Sequence, residues 1–406
     1  MAVEHLVSED VRRHNLALIL TQLVRSGPSA RSELSRATGL TQGSVTALTK
    51  ALVDVGVIRE LEPLVIAKGR PITKLALAAD GIAILAVQLS ADDVTALLTT
   101  LDGAELLRVS RPHGRPMGDA PAVLDVLADV VRVAIDRSRE LSRRVASLSV
   151  IVLAPVGGDP VRVLGDVSLG WGEVDVVAEL RRRVPGILSE LIRLSSDTPI
   201  AARAELRLVE DVGGGGDGGD AIYLKADSNI GGAIVVAGAV VDGAHGFGGS
   251  LGHLSVVPAG VLCECGQHGC LVTVAGIESL LVAEGSQGSW DPGAPSAALE
   301  SFVGRVERGD PRAVAAWDGA LPWIGRALQI LTMATDPSVI IVAGHWARLR
   351  TSIETAFAAN RPHIARAGDR FGPAVLSSAL GADAAMRGAI WEARERLILE
   401  PLSLAS

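Results

Sequence analysis

A chain of 406 residues with 48% hydrophobic content is long enough for two or three domains and a sizeable core. Three cysteines exclude a framework of paired disulfides, and a formal net charge of -8 excludes a generic binder of polyanions. The charge is uneven: residues 1–79 hold ten Lys/Arg against seven Asp/Glu and the remainder 28 against 39, so a small basic end is joined to a large acidic body. Arg12, Arg13 and His14 precede only a short apolar run, Leu16 to Leu20, with no small-residue cleavage site after it. The longest later apolar run, around Val145 to Val156, is too short to span a bilayer. The expectation is a cytoplasmic protein with no membrane partner.

Leu16, Ile19, Leu20 and Leu23 recur at helical spacing, and Gly27-Pro28 ends that first helix. A second short helix is predicted over Arg31 to Thr38, stopping at Gly39. Thr41 is placed to cap a third, whose Val45, Leu48 and Leu52 share one face. Helix, tight turn, helix is the spacing of a helix-turn-helix with the third helix as reader. Thr41, Gln42, Ser44, Thr46 and Lys50 are the candidate DNA contacts, able to hydrogen-bond base edges or phosphates. A two-stranded wing is expected around Lys68 to Lys74 and Leu75 to Leu77.

Beyond residue 79, apolar strands alternate with helices, the grammar of a layered α/β domain. Strands are predicted at Ile82 to Leu89, Val94 to Leu101, Leu148 to Leu153, Ala221 to Ala226 and Val339 to Val342. Helices are predicted at Ala120 to Arg139, 174 to 184, Ile277 to Leu281, Ser296 to Glu307, Pro311 to Ala334 and Ala382 to Leu397. Ile200 is read as the start of a strand or of a strand–helix junction, and Gly213 to Gly219 as a surface loop.

All three cysteines fall inside the eight residues Cys263-Glu-Cys265-Gly-Gln-His-Gly-Cys270, and His253 lies ten residues upstream of the first. Gly266 and Gly269 let a short loop fold back so that three sulfurs and one imidazole face one point. That donor set predicts a tetrahedral structural zinc site at His253, Cys263, Cys265 and Cys270, in a reducing compartment.

Through Thr38-Gly-Leu-Thr-Gln-Gly-Ser-Val45, Gly56-Val-Ile58 and Gly69-Arg-Pro71, residues 11–78 resemble the winged helix-turn-helix of bacterial repressors. By that likeness Arg70 reaches toward the backbone or minor groove of double-stranded DNA. The zinc run, Ser168-Leu-Gly-Trp-Gly172, Gly249-Ser-Leu-Gly-His253 and Gly381-Ala-Asp-Ala-Ala-Met-Arg-Gly-Ala389 extend the resemblance over nearly the full chain. The family is the ROK family (repressors, open reading frames and sugar kinases), in its subgroup with an N-terminal winged helix-turn-helix. It implies residues 1–78 as the DNA-binding domain and 79–406 as a two-lobed, actin-like ATPase domain. Lobe one would be about 79–205 plus the C-terminal helix, and lobe two about 206–387. It also implies homodimers or homotetramers, whose paired heads would match an inverted repeat.

The enzymatic parts of that family pattern are altered. Gln88-Leu-Ser-Ala-Asp-Asp93 and Asp227-Ser-Asn-Ile-Gly231 stand where glycine-rich phosphate loops are implied, with two carboxylates in the first. The implied Asn-Asp catalytic pair aligns with Ala204-Glu205, and the implied sugar-binding acids with Ser250 and Val272. The plain alternative for Glu205 is a helix residue, solvated or salt-bridged to Arg203 or Arg207. Glu205, Ser250 and His253 are the effector-pocket candidates, for an altered ligand, a sugar or none. The expected function is a DNA-binding repressor with a catalytically inactive body, not an enzyme. The alternatives are a sugar kinase fused to a DNA-binding module and a protein-interaction scaffold.

Overall fold

The computed structural model describes residues 8–63, 72–78, 81–113, 119–165, 170–187, 191–213, 219–286, 288, 290–291, 294–360 and 372–400. The N-terminal head comprises α1 (Ser8–Ser26), β1 (Ser29–Ala30), α2 (Arg31–Thr38), α3 (Gln42–Asp54), β2 (Ile58–Glu60) and β3 (Lys74–Leu77). Leu16, Ile19, Leu20 and Leu23 of α1 are buried in one cluster with Leu34 of α2 and Val45, Leu48 and Leu52 of α3. Gly39 ends α2 in the left-handed conformation at φ 73, a position where a Cβ is costly. The sheet of the head has three strands in the order β1-β3-β2, where the sequence suggested two. Ser29 and Ala30 pair with Leu75 and Lys74, and two residues are too few to show an alternating pattern. The Lys68–Pro71 part of the expected wing lies outside the described residues.

The body holds two five-stranded sheets of one repeated design. The first contains β4 (Ile82–Leu89), β5 (Asp93–Thr100), β6 (Glu105–Pro112), β7 (Arg144–Val152) and β10 (Ile192–Ser196), in the order β10-β7-β4-β5-β6. α4 (Ala120–Glu140) lies between β6 and β7 in the chain, and a small hairpin, β8 (Val156–Gly157) and β9 (Arg162–Val163), precedes α5 (Val176–Arg183). The second sheet contains β11 (Ala221–Ala226), β12 (Ile230–Val236), β13 (Ala239–Val240), β14 (Val339–Gly344) and β15 (Ala374–Ser377), in the order β13-β12-β11-β14-β15. Each sheet starts as an antiparallel meander of three strands and grows by two parallel strands on the other side of its first strand.

Helices cover both faces of each sheet, so the central strands read as continuous apolar runs. Along β4, Ala83, Leu85, Val87 and Leu89 join the cluster under α4, whereas Ile82, Ile84 and Ala86 face the opposite layer. That opposite layer contains α6 (Asp197–Gly213) and α12 (Ala384–Leu399). It is one apolar cluster shared by the head, the inner faces of both sheets and these two helices. The outer face of the second sheet is covered by α7 (Val272–Ala275), α8 (Ile277–Glu284), α9 (Pro295–Glu307), α10 (Pro311–Thr335) and α11 (Arg350–Asn360).

Two expectations need correction. Ile200 lies inside α6, because the strand that precedes it, β10, has already ended at Ser196. The last helix starts at Ala384 after a short 3-10 turn, two residues later than its apolar pattern suggests. Residues 214–218 of the glycine-rich loop lie outside the described residues.

Candidate metal centre, cleft and DNA-reading face

The chain reverses twice between His253 and Cys270. Leu262 bridges to His268 and Ser255 to Cys270, while the Cys263 N–H donates to the Gln267 carbonyl at 2.7 Å. Gly266 and Gly269 both take positive φ, 86 and 73. At Gly269 a Cβ would fall 1.8 Å from the Val257 carbonyl oxygen, so only glycine lets the strand pass there. The folding back brings the donor atoms of His253, Cys263, Cys265 and Cys270 within 4.8 Å of one another. Cys263 Sγ lies 3.6 Å from His253 Nδ1, and Cys265 Sγ 3.6 Å from Cys270 Sγ. A tetrahedral ion with ordinary zinc–sulfur and zinc–nitrogen bonds separates its ligands by about 3.4–3.8 Å, so this quartet fits one with little adjustment. Burial and then the neighbouring sulfurs push Cys270 up to about 12, an unfavourable state for a thiolate unless a positive ion shares the site. Cys265 moves the other way: burial opposes its ionisation, but the Gln267 backbone amide and the adjacent thiols bring it below the usual range.

The metal loop borders a cleft of ≈ 850 Å³ between the two sheets. The hairpin turns that follow the first strand of each sheet meet there, Ser90–Asp93 after β4 and Asp227–Asn229 after β11. Gly246 brings the second lobe against the first: at φ 76, a Cβ on it would lie 2.3 Å from the Val156 carbonyl oxygen. At the cleft floor Lys225 Nζ contacts Asp197 Oδ2 and Asp227 Oδ2, both at 2.9 Å. Burial pulls the Lys225 ammonium down, but the two carboxylates outweigh it and hold it well above the usual lysine value. Burial likewise raises Asp227, and Lys225 reverses this, leaving its carboxyl below the usual range. Tyr223, two residues back on the same face of β11, is 1% exposed, and its hydroxyl has no hydrogen-bond partner among the described residues. Its ionisation is raised, first by burial.

The first turn carries its own carboxylate. Asp93 accepts from the hydroxyls of Ser90, Ser110 and Thr95, all neutral donors, so its negative charge is not offset by these contacts. Farther along the same wall, Arg108 of β6 forms a bidentate pair with Asp383, at 2.9 and 3.0 Å.

In the head, Thr41 Oγ1 accepts the Ser44 N–H at 3.2 Å and so caps α3. Gln42, Ser44, Thr46 and Lys50 are all exposed, whereas Val45, Leu48 and Leu52 of the same helix are buried. Arg31 sets the angle of that helix to the wing: Nε donates to the buried Thr49 Oγ1 at 3.1 Å and an Nη to Glu60 Oε1 at 2.6 Å. Arg70 lies outside the described residues.

The family model described as "ROK family" matches residues 84–396. The chain belongs to the ROK family. The DNA-binding transcriptional dual regulator NagC of Escherichia coli is 24% identical over 343 residues, 82% of this chain and 81% of that protein. The repressor Mlc of Escherichia coli is 22% identical over 344 residues, again 82% and 81%. Among solved structures, a ROK family transcriptional regulator described as a homolog of the Escherichia coli MLC protein superposes with a TM-score of 0.76. It is 23% identical, covering 98% of this chain and 100% of the other. A ROK family glucokinase from Streptomyces griseus, solved with glucose and AMPPNP, gives 0.59 at 22% identity, over 77% and 99%. The fold is therefore an N-terminal helix-turn-helix head followed by an actin-like body of two sheets.

In this ROK chain the pocket candidates separate. Ser250 and His253 border the cleft. Glu205 does not: it is 2% exposed and accepts from the backbone N–H groups of Ala379 at 2.8 Å and Leu380 at 2.9 Å and from the Ser378 hydroxyl. Nor is it solvated or paired with Arg203 or Arg207, which bind Glu392 and Glu395 instead. The carboxylate of α6 that does border the cleft is Asp197, two turns earlier.

Proposed function

We propose that this ROK chain is a DNA-binding transcriptional repressor, with residues 1–78 as the reading domain and 79–406 as a sugar-kinase-like body that performs no phosphoryl transfer. The observation that carries the reading is the exposed polar face of α3, Gln42, Ser44, Thr46 and Lys50, capped and braced in a helix-turn-helix. With Lys50 its one cation, that face would take sequence information through uncharged hydrogen-bonding groups, and Arg70 of the wing would add a minor-groove or backbone contact. A homodimer or homotetramer would present two heads to an inverted repeat.

The loss of catalysis rests on charge. Polyphosphate binding needs glycine N–H groups and cations, whereas Asp92 and Asp93 stand at the first turn, and the lysine beside the second, Lys225, is held by Asp197 and Asp227. Asp197 is held by Lys225 rather than left free to take a proton from a sugar hydroxyl. Zinc at His253, Cys263, Cys265 and Cys270 is structural in this reading, since four protein ligands leave no open coordination position. Reduced thiolate ligands fit the cytoplasm. A small effector in the cleft, altered from the family's sugars because Ser250 and Val272 replace the implied acids, would set the DNA affinity of the heads.

Footprinting of the purified chain on the DNA upstream of its own coding region tests the repressor reading. A protected inverted repeat at moderate salt is expected, and absence of protection there and in a selection from random duplexes would overturn it. ATP-dependent turnover of any common hexose or amino sugar would overturn the inactive body. Among the described residues no helix is long and apolar enough to cross a membrane.

A further inference from the structure

Helices α6 and α12 are stapled to each other at three levels. Glu205 of α6 holds the 378–380 turn that leads into α12, Arg203 pairs with Glu392 at 2.5 Å, and Arg207 pairs with Glu395. Both helices begin at the cleft. Asp197 opens α6 against Lys225, and Asp383 precedes α12 against Arg108. Asp383 stands at the N-cap position of α12, yet its side chain makes no cap hydrogen bond and is committed to Arg108. A carboxylate there already gains from the helix dipole, so the pair is favoured from both sides. Beyond the cleft, α12 packs on α1, and one apolar cluster contains Leu16, Ile19 and Leu20 of α1 with Ile390, Ala393 and Leu397 of α12.

Packed interiors shift as bodies rather than deform smoothly. We infer that the Arg108–Asp383 clasp is a latch on the cleft wall, and that its state is carried along the α6–α12 pair to α1 and the head. Arg108 is reachable, with its side chain 34% exposed on β6, so a molecule entering the cleft meets the latch directly. The effect on DNA rests on the repressor reading above, whereas the coupling to α1 does not.

The test uses the full chain carrying Arg108→Ala, Asp383→Asn or the reversed pair Arg108→Asp/Asp383→Arg. Arg348→Ala, which breaks the exposed Arg348–Glu307 pair, serves as the control. Amide hydrogen exchange is read over α1, and binding to the chain's own upstream DNA by fluorescence anisotropy. Both single variants are expected to raise exchange in α1 and to weaken DNA binding about fivefold or more, the lower end of ordinary coupling between sites. The reversed pair meets Glu105 and Arg387 with like charge and the start of α12 with a cation, so it is expected to restore both in part, and the control to change neither. Arg108→Ala with wild-type exchange in α1 overturns the latch, as does an equal rise in the control. Should Asp383→Asn fail to fold, Arg108→Ala and the reversed pair still decide. If the wild-type chain binds no DNA, the repressor reading fails while exchange in α1 still decides the latch.

Discussion

The two ends of the cleft are built on opposite principles. At the metal-loop end, four neutral or ionisable donors converge on one point, and tight glycine turns fix each of them by backbone geometry. At the other end, Asp92, Asp93 and Asp227 occupy hairpin turns where an anion-binding loop would offer bare N–H groups. A carboxylate about 4–6 Å from a phosphate costs on the order of a few kcal/mol at modest effective dielectric. The element that shapes a loop can thus persist intact beside a wall whose charge admits different ligands. Between the two ends sits Lys225, which is not surplus positive charge for a ligand but the counter-ion of the protein's own carboxylates.

The largest expected effect breaks the closed end. Cys270→Ser removes one of four donors, and elemental analysis is expected to find near one equivalent of zinc per chain in the unaltered protein and close to none in the variant. The accompanying loss of stability should reach about 5 kcal/mol, part of the 10–16 kcal/mol apparent for structural zinc sites. Second is Lys225→Met, which leaves Asp197 and Asp227 without their cation at a cost of about 3–5 kcal/mol in denaturant unfolding at neutral pH. The pH dependence has a definite sign. Folded Asp227 titrates below the usual carboxylate range, so its contribution is present above that range and lost as pH falls through the folded value. Folded Lys225 titrates above the usual lysine range, so its contribution is present below it and lost only as pH rises through the folded value. The gap between wild type and Lys225→Met should therefore stay flat through neutral pH and close at the acid extreme.

Smaller effects sharpen the contrast. Glu205→Gln turns charge-assisted bonds to the 378–380 turn into neutral ones and should cost about 1–3 kcal/mol, with zinc content unchanged. The smallest belongs to the reading face. Lys50→Ala should lower the slope of log K against log salt by about one, uniformly across DNA sequences, if the ammonium meets a phosphate.

The convergence of His253 with the three cysteines was legible because three thiols in so short a run have few other uses, and its glycines lie where the turns need them. The head was legible because Leu16, Val45 and their neighbours repeat at helical spacing and Thr41 is a cap. The cleft floor was not. Asp197 belongs to no motif visible in a single sequence, and the helix it opens starts three residues before Ile200, where the apolar pattern suggested the junction. One signal was available: Lys225 is the only lysine after Lys74 in a chain whose other cations there are all arginines, and it interrupts the apolar run Ala221 to Ala226. A charge in such a strand needs partners of opposite charge close by. The α6–α12 staples were hidden because Arg203 and Glu392 are 189 residues apart.

Tyr223 is the only tyrosine of the chain, buried behind Lys225 with its hydroxyl unpartnered. The protein therefore carries a single phenol as a natural optical probe at the seam of its two lobes. Phenolate absorbance should be silent in alkali until the floor opens, and its appearance would time that opening without any attached label.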